Sequence, residues 1–301
     1  MTQHILVEDG DGIRIDRYLS ECCADLSRSY LQKLLKDGEV SVDGKIVKSN
    51  YKVSSGEKII MEIPEAAEPE ILPEEIALDI LYEDSDIILI NKPKGMVVHP
   101  AAGHDSGTLV NALLAHCKDL SGINGVLRPG IVHRIDQDTT GVLVACKNDA
   151  AHSAIAEQLR VHSITRVYFA IVHGRISKDE GTIDAPIGRH PTDRKKMSIN
   201  EKNGKSAVTH YHVLQRSEHF TYLECRLETG RTHQIRVHMA SVGHPLLGDI
   251  VYGPKRCPYP GLKGQTLHAG VLGFIHPRTG KYLEVQAPLP EYFTELLKKL
   301  F

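Results

Sequence analysis

Short alternating or β-branched segments dominate the chain, with helical segments between them. Six segments after residue 86 have the pattern of strands: Ile87–Ile90, Gly141–Ala145, Val167–Val172, Ala207–Leu214, Phe220–Leu227 and Tyr282–Gln286. Four segments have apolar positions at helical spacing: Thr108–Cys117, Ala150–Leu159, Thr232–Ser241 and Glu291–Leu300. Because strands and helices do not alternate regularly, the pattern favours an α+β domain with a mainly antiparallel mixed sheet over a doubly wound parallel sheet.

A smaller α+β module is predicted before residue 64. Ser27 is a suitable cap for a helix over Arg28–Asp37, and Gly38 is a suitable stop. Three short strands separated by turns are predicted after this helix: Glu39–Val42, Lys45–Val47 and Lys58–Ile63. The segment Pro64–Pro73 is rich in proline and glutamate and has no apolar face, which indicates a linker. We therefore predict domains at 1–63 and 78–301, joined by an acidic linker at 64–77.

Composition narrows the class of protein. A length of 301 residues suggests about two domains, and 41% hydrophobic with 25% charged residues is ordinary for a globular protein. The sequence contains no apolar run of the roughly 18 residues that a membrane span needs, and its N-terminus does not resemble a signal peptide. Six cysteines are present without a CxxC pair. We expect a cytoplasmic protein with reduced thiols and no membrane association.

Charge is distributed unevenly along the chain. The formal net charge is −2, yet residues 87–301 carry 27 Lys and Arg against 18 Asp and Glu, a net of +9. Residues 64–86 carry nine acidic and no basic side chains. The basic C-terminal part is compatible with a polyanionic partner, and it is equally compatible with an ordinary solvated surface.

The segment GIVHRIDQDTTG, residues 130–141, is the first candidate for chemistry. It has the pattern of a loop leading into a strand, with Asp136 and Asp138 on either side of Gln137. A guanidinium within ~4–6 Å would hold such a carboxylate ionised by lowering its pKa. The alternative is a turn in which the Asp and Thr side chains bond to their own backbone.

The second candidate segment, residues 227–249, has an unusual density of polar side chains at the start of a predicted helix. Arg231, His233, Gln234, Arg236 and His238 fall within eight residues, and they cannot all face water equally. Of these, we select Arg231 as the ion-pair partner of Asp136, because a guanidinium fork suits a carboxylate better than lysine does. The histidine spacing matches no zinc pattern, so no metal site is predicted.

The sequence resembles the RluA/RluD family of pseudouridine synthases. HRIDQDTTG is similar to the family's HRLDxxTSG signature, and NKPKGMVVHP, RVYFAIVHG, GRTHQIRVH, GDxxYG and LHA also match, in the family's order. Residues 13–62 resemble the small RNA-binding domain of a ribosomal small-subunit protein, the S-four-type domain. The resemblance implies a pseudouridine synthase fold for the larger domain and an isomerase that needs no cofactor.

The resemblance also implies roles for individual residues. Asp136 is the expected nucleophile. Attack on the ribose, attack on the base and help in deprotonating the sugar are all compatible with the motif. Tyr168 matches the family's active-site tyrosine. Arg231 remains the predicted ion-pair partner of Asp136. The target uridine must leave the base stack, and Arg134 is our candidate to occupy the vacated space, because a planar guanidinium can stack on neighbouring bases.

Further basic residues are expected to bind the RNA backbone. They are Arg194, Lys195 and Lys196 in the predicted loop Arg189–Lys205, and Arg28 and Lys33 on the helix of the small domain. The expected partner is structured RNA, by resemblance large-subunit ribosomal RNA, although transfer RNA stays open. The sequence indicates no obligate protein partner.

Two other functions are alternatives to catalysis on RNA. A glycoside hydrolase would use two carboxylates, yet Asp136 and Asp138 lie in one loop and need not converge on a substrate. A non-catalytic RNA-binding or ribosome-assembly factor would explain the small domain. A pure binder has no need for a carboxylate at Asp136, which repels phosphate. The sequence therefore favours the enzyme.

Overall fold

The computed structural model describes residues 2–23, 26–64, 71–101, 103–125, 128–193, 195–259 and 261–301. Contacts divide the chain into two units, Met1–Glu68 and Pro69–Phe301. Each unit has its own hydrophobic core. In the described part of the chain, no helix is both long and apolar enough to cross a bilayer.

The N-terminal unit combines two helices with a four-stranded antiparallel sheet. Its elements are β1 (Thr2–Leu6), α1 (Ile15–Cys22), α2 (Arg28–Asp37), β2 (Val40–Val42), β3 (Lys45–Ile46) and β4 (Lys58–Glu62), with strand order β1-β4-β2-β3. The predicted bounds of α2 are confirmed: the Ser27 side chain accepts from the Tyr30 amide, and Gly38 is left-handed with φ 85°. The other two elements, β1 and α1, were not predicted.

A buried carboxylate ties the two helices of this unit together. Asp16 on α1 is fully buried and accepts hydrogen bonds from Arg14, Arg28 and Gln32. Burial alone would raise the pKa of Asp16, but these hydrogen bonds lower it to about 2. Arg28 therefore contributes an ion pair at 2.9 Å within the unit, in addition to any contact with a partner.

The C-terminal unit is built on a nine-stranded mixed sheet. Its elements are β5 (Ile80–Glu83), β6 (Ile87–Lys92), α3 (Leu109–His116), β7 (Thr140–Cys146), α4 (Asp149–Arg160), β8 (Thr165–His173), β9 (Glu180–Asp184), β10 (Ile187–Arg189), β11 (Met197–Ile199), β12 (Val208–Arg216), β13 (Phe220–Leu227), α5 (Gln234–Ser241), β14 (Leu267–Ile275), β15 (Tyr282–Gln286) and α6 (Glu291–Leu300). The order is β5-β6-β7-β14-β8-β13-β12-β9, and β15 also pairs with β14. Among the described strands of this sheet, only β7 and β14 pair in parallel. The predicted α+β class with a mainly antiparallel mixed sheet is confirmed.

The parallel contact between β7 and β14 needs a glycine. Gly141 has φ 107°, and a Cβ there would lie 2.1 Å from the carbonyl oxygen of Ala269. Any larger residue would push the two strands apart just after the loop that carries Asp136. Gly141, the last residue of the HRIDQDTTG segment, is therefore required for the packing of the sheet.

All six predicted strands and four predicted helices of this unit are present, with ends that differ by at most two residues. The longest omission is β14, because a strand buried on both faces lacks the alternation that identifies a half-exposed strand. The predicted basic loop Arg189–Lys205 is partly wrong, since it contains the hairpin partner β11.

The predicted linker at 64–77 extends too far. Ile71 is buried in the core of the C-terminal unit, and the Asn111 side chain donates to the Leu72 carbonyl at 2.8 Å. Glu74 accepts from the Gly107 amide at 3.0 Å. Residues 65–70 lie outside the described residues. The segment from Ile71 therefore belongs to the larger unit, because it fills part of that unit's core.

This docking predicts that the starting residue decides the stability of a C-terminal fragment. A variant beginning at residue 69 should melt about 3–10 °C above one beginning at Glu74, because the latter loses the burial of Ile71. In the full chain, Ile71→Ala should lower the free energy of unfolding by about 2–5 kcal/mol, whereas Leu72→Ala, at an exposed neighbour, should change it little. Equal melting temperatures for the two fragments, measured by circular dichroism, would contradict the assignment.

Candidate active site

A cavity of about 270 Å³ opens in the C-terminal unit between strand β8, the loop before β7 and the start of helix α5. This volume lies near the lower end of the range of ligand pockets, roughly 300–1,000 Å³. Four of the residues singled out from the sequence line it, namely Asp136, Tyr168, Arg231 and Arg134. The structure therefore brings together side chains from three segments that are far apart in the sequence.

Asp136 lies in the loop that leads into β7. Its carbonyl accepts from the Thr139 amide at 3.0 Å, which closes a turn immediately before the strand. The fully buried Lys92, at the end of β6, holds the same loop: its Nζ donates to the carbonyls of Gln137, Pro93 and Met96 at 2.8–2.9 Å. Burial lowers the pKa of Lys92 to about 7, while the charges of the nearby aspartates oppose this shift.

The ion-pair partner of Asp136 is Arg236. Its Nη1 donates to Asp136 Oδ2 at 2.9 Å, and its Nε and Nη2 donate to the two oxygens of Asp249 at 2.7 and 3.0 Å. The predicted pairing with Arg231 is wrong. Helix α5 begins only at Gln234, so Arg231 lies before the helix, and its Nε donates to the Ser206 carbonyl.

Asp249 completes this arrangement from a fully buried position. It also accepts from the backbone amides of Val251 and Tyr252. Burial alone would raise the pKa of Asp249, but the hydrogen bonds from Arg236 hold it below its usual value. The two carboxylates in turn keep the pKa of Arg236 above its usual value, against the effect of burial. The guanidinium is therefore permanently charged and fixed by three hydrogen bonds.

His233 flanks the other oxygen of Asp136. Its Nε2 lies 3.8 Å from Asp136 Oδ1, and its Nδ1 hydrogen-bonds the Tyr252 hydroxyl at 2.8 Å. His233 has φ 58°, a left-handed conformation that is uncommon for histidine and that turns the chain into α5. Burial lowers the pKa of His233, although Asp136 opposes this shift. A neutral imidazole therefore stands beside the carboxylate at neutral pH.

Tyr168 on β8 lies beside the carboxylate in the same cavity. Burial raises the pKa of its hydroxyl, and the charge of Asp136 adds to this effect while that of Arg166 opposes it. The phenol is therefore neutral at physiological pH. Its ring is 8% exposed, so it offers a flat apolar surface at the wall of the cavity.

The remaining predicted RNA-binding residues are distributed over both units. Arg134 is exposed, with its Nη1 3.3 Å from Nε2 of His99. Burial, together with nearby arginine charges, lowers the pKa of His99 to about 4, so this contact is with a neutral imidazole. Lys195 is exposed in the turn between β10 and β11, beside the half-buried Lys196, and Lys33 is exposed on α2. Arg194 lies outside the described residues.

Three important residues were not singled out from the sequence, namely Arg236, Asp249 and Lys92. Arg236 was within the dense polar segment, and its neighbours Ile235 and Val237 are apolar, so no periodicity distinguished it from Arg231. Asp249 and Lys92 stood in matched motifs, GDxxYG and NKPKG, without a stated role. A fully buried lysine or aspartate gives no sign of its burial in a single sequence, because burial of a charge depends on distant partners.

Two groups of histidine, cysteine and acidic side chains outside the cavity are close enough to share a cation: Glu83 with His116 and Cys117, and Asp84 with Asp86 and His276. Both groups already have protein partners, since Lys147 binds Glu83 and Arg278 binds Asp86. Neither group contributes to the walls of the cavity.

Comparison with known proteins shows the family of the chain. Residues 86–241, which include most of the strands and loops that carry the cavity, match the family model described as RNA pseudouridylate synthase. Residues 13–59 match the S4 domain. The chain belongs to the RNA pseudouridylate synthase family, whose members are isomerases that convert uridine in RNA to pseudouridine.

Similar proteins extend over nearly the whole chain. An uncharacterized RNA pseudouridine synthase of Bacillus subtilis is 56% identical over 97% of this chain and 96% of its own length. The ribosomal large subunit pseudouridine synthase D of Pseudomonas aeruginosa is 46% identical over 96% and 92%. The solved structure of human RNA pseudouridylate synthase domain containing 1 is 27% identical, with a TM-score of 0.59, over 72% of this chain and 85% of that one.

The different partners of Arg231 and Arg236 predict that matched substitutions change stability by very different amounts. Arg236→Gln should lower the free energy of unfolding by about 3–5 kcal/mol, because it leaves the buried Asp249 without its counter-charge. Arg231→Gln should change it by no more than about 0.5 kcal/mol, because this side chain is partly exposed and has no carboxylate partner among the described residues. Urea denaturation of both variants measures the difference. A larger loss of unfolding free energy for Arg231→Gln would support the pairing of Arg231 with Asp136 that the sequence predicts.

Proposed function

We propose that Asp136 is the nucleophile with which this enzyme isomerises uridines in structured RNA, and that large-subunit ribosomal RNA is its substrate. The observation that supports the first part is the Asp136–Arg236 ion pair inside a cavity lined by Tyr168. The Asp136 side chain is 19% exposed, so a substrate can reach it, and the hydrogen bond from Arg236 holds it in one orientation.

The reaction requires no net gain or loss of atoms. The bond between ribose C1′ and uracil N1 breaks, the base turns, a bond forms between C1′ and C5, and the proton at C5 leaves while N1 gains one. Asp136 assists as the nucleophile during this exchange. Tyr168 presents its ring to the detached base, and its neutral hydroxyl can relay a proton. Arg236 orients the carboxylate through its hydrogen bond to Oδ2 and acts as a positioning residue.

The proposed target follows from the relatives. Proteins named ribosomal large subunit pseudouridine synthase D are 40–47% identical to this chain over nearly its full length, which supports large-subunit ribosomal RNA more than transfer RNA. The S4 domain supports the same partner, since we assign it to RNA recruitment. We infer that the enzyme acts in the cytoplasm, where such a substrate is found.

Contacts with the RNA are proposed for three regions. The exposed Arg134 guanidinium, which rests on a neutral His99, is free to enter the space that a flipped uridine leaves. The turn with Lys195 and Lys196, for which Arg194 is also a candidate, would contact phosphates. On the small domain, Lys33 is fully available, whereas Arg28 would bind RNA while paired with Asp16. Arg231 is assigned to the substrate-binding part of the site.

The nucleophile is tested by matched substitutions in one loop. Asp136→Asn should fold normally, because Arg236 keeps its paired hydrogen bonds to Asp249, but it should lose more than nine tenths of the pseudouridine formed. Asp138→Asn, two residues away and outside the cavity, should retain most of the turnover. The measurement is pseudouridine mapping in total RNA from cells that carry each variant in place of the wild type. Activity above a tenth in Asp136→Asn would refute the nucleophile, and loss of activity in both variants would favour a two-carboxylate mechanism.

The base-flipping role of Arg134 predicts a dependence on RNA structure. Arg134→Lys should slow turnover on a folded RNA more than on a short unstructured oligonucleotide with the same uridine, because only the folded RNA has a stack to be filled. Single-turnover rates on the two substrates measure this. An equal loss of rate on the two substrates would contradict the base-flipping role. An unchanged rate on both substrates would leave Arg134 as a structural residue.

A further inference from the structure

Three arginines of the cavity, namely Arg134, Arg166 and Arg231, have no carboxylate partner among the described residues. Arg166 on β8 and Arg231 before α5 both line the wall near Asp136, yet among the described residues neither makes an ion pair with an acidic side chain within 4.0 Å. The carboxylate of the neighbouring Glu228 is held by His210 at 2.6 Å. Besides Asp136 and its partner Arg236, the cavity therefore contains three further positive charges: Arg134, which contacts His99, and the two arginines Arg166 and Arg231.

Arg166 is the more unusual of the two, because it is 8% exposed. Its Nη2 donates to the Glu228 carbonyl at 2.7 Å, while its buried Nε has no hydrogen-bond partner in the described part of the chain. Burial lowers the pKa of Arg166, and the positive charge of Arg231 acts in the same direction. A buried guanidinium beside a like charge destabilises the free protein unless an anion is bound.

The local backbone is arranged to accept this side chain. A Cβ at position 230 would lie 2.6 Å from Nη1 of Arg166, so Gly230 leaves space for the guanidinium beside Arg231. Arg166 also precedes Tyr168 by two residues on β8, and side chains at this spacing share one face of a strand. The guanidinium and the phenol ring therefore face the same cavity from one strand.

We propose that Arg166 and Arg231 form an anion subsite that binds a phosphodiester group of the uridine nucleotide in the cavity. RNA presents its negative charges as phosphates, and a guanidinium donates to a phosphate through a paired fork that a lysine lacks. Such a contact would fix the nucleotide with its phosphate at Arg166 and its sugar near Asp136. This proposal rests on the proposed function only for the identity of the ligand as an RNA nucleotide.

The test compares two small ligands, uridine and uridine 3′,5′-bisphosphate, which share base and sugar and differ in phosphates. Calorimetry gives their affinities, and phosphorus NMR identifies which phosphate is bound. The wild type should bind the bisphosphate at least about tenfold more tightly than uridine, the effect of one charge-assisted contact. Arg166→Gln should lose most of this preference, and Arg166→Lys should restore part of it.

Two further variants keep the result interpretable. Arg226→Gln is the matched control, because Arg226 lies on the adjacent strand β13, is exposed and pairs with Glu224, so the preference should remain. If Arg166→Gln does not fold, Arg231→Gln provides the same comparison at a partly exposed position.

Three outcomes would overturn the proposal. They are equal affinities of the wild type for both ligands, an unchanged preference in the folded arginine variants, or an equal loss for both ligands, which would place the guanidinium on the base or sugar. Because binding of these ligands needs no turnover, failure here is distinct from failure of the proposed function, which would appear as absent pseudouridine in the cellular mapping.

Discussion

Arg236 holds two carboxylates at once, and the geometry of the site depends on this. The fully buried Asp249 takes two hydrogen bonds from the guanidinium, which leaves Nη1 to orient Asp136. A paired fork of this kind fixes direction as well as charge. Asp249 therefore determines where Arg236 points, and Arg236 determines where the Asp136 carboxylate points. The cost of burying three charges is offset because each has a partner in good geometry.

The sheet also fixes the position of Asp136. Asp136 lies just before β7, whose parallel contact with β14 requires Gly141. Lys92, at the end of β6, donates to the Gln137 carbonyl of the same loop and to the Pro93 and Met96 carbonyls of its own segment. The loop is therefore held by the strand that follows it, β7, and by a buried lysine from the adjacent strand β6. Such support keeps the carboxylate in place without any contribution from the substrate.

The distribution of charge in the cavity is consistent with a polyanionic substrate. A carboxylate repels phosphates, and Arg236 alone does not cancel this repulsion, because it is shared between Asp136 and Asp249. Arg166 and Arg231 then add positive charge to the same cavity without carboxylate partners among the described residues. This separates two tasks of the site, since Arg236 orients Asp136 and the other two arginines are available to an anion.

Much of the secondary structure and part of the site can be predicted from the sequence alone. This holds for the strands and helices with regular periodicity, for the caps of α2 and for the place of Asp136 and Tyr168 in motifs, because these features depend on residues close together in the chain. The ion-pair partner of Asp136 could not be predicted in this way. Arg231 and Arg236 are five positions apart in one polar segment, and Asp136 lies 100 residues from Arg236. Only the strand order β7-β14-β8-β13 and the start of α5 after the left-handed His233 decide which guanidinium reaches the carboxylate, because the direction of a side chain across a sheet is set by tertiary packing.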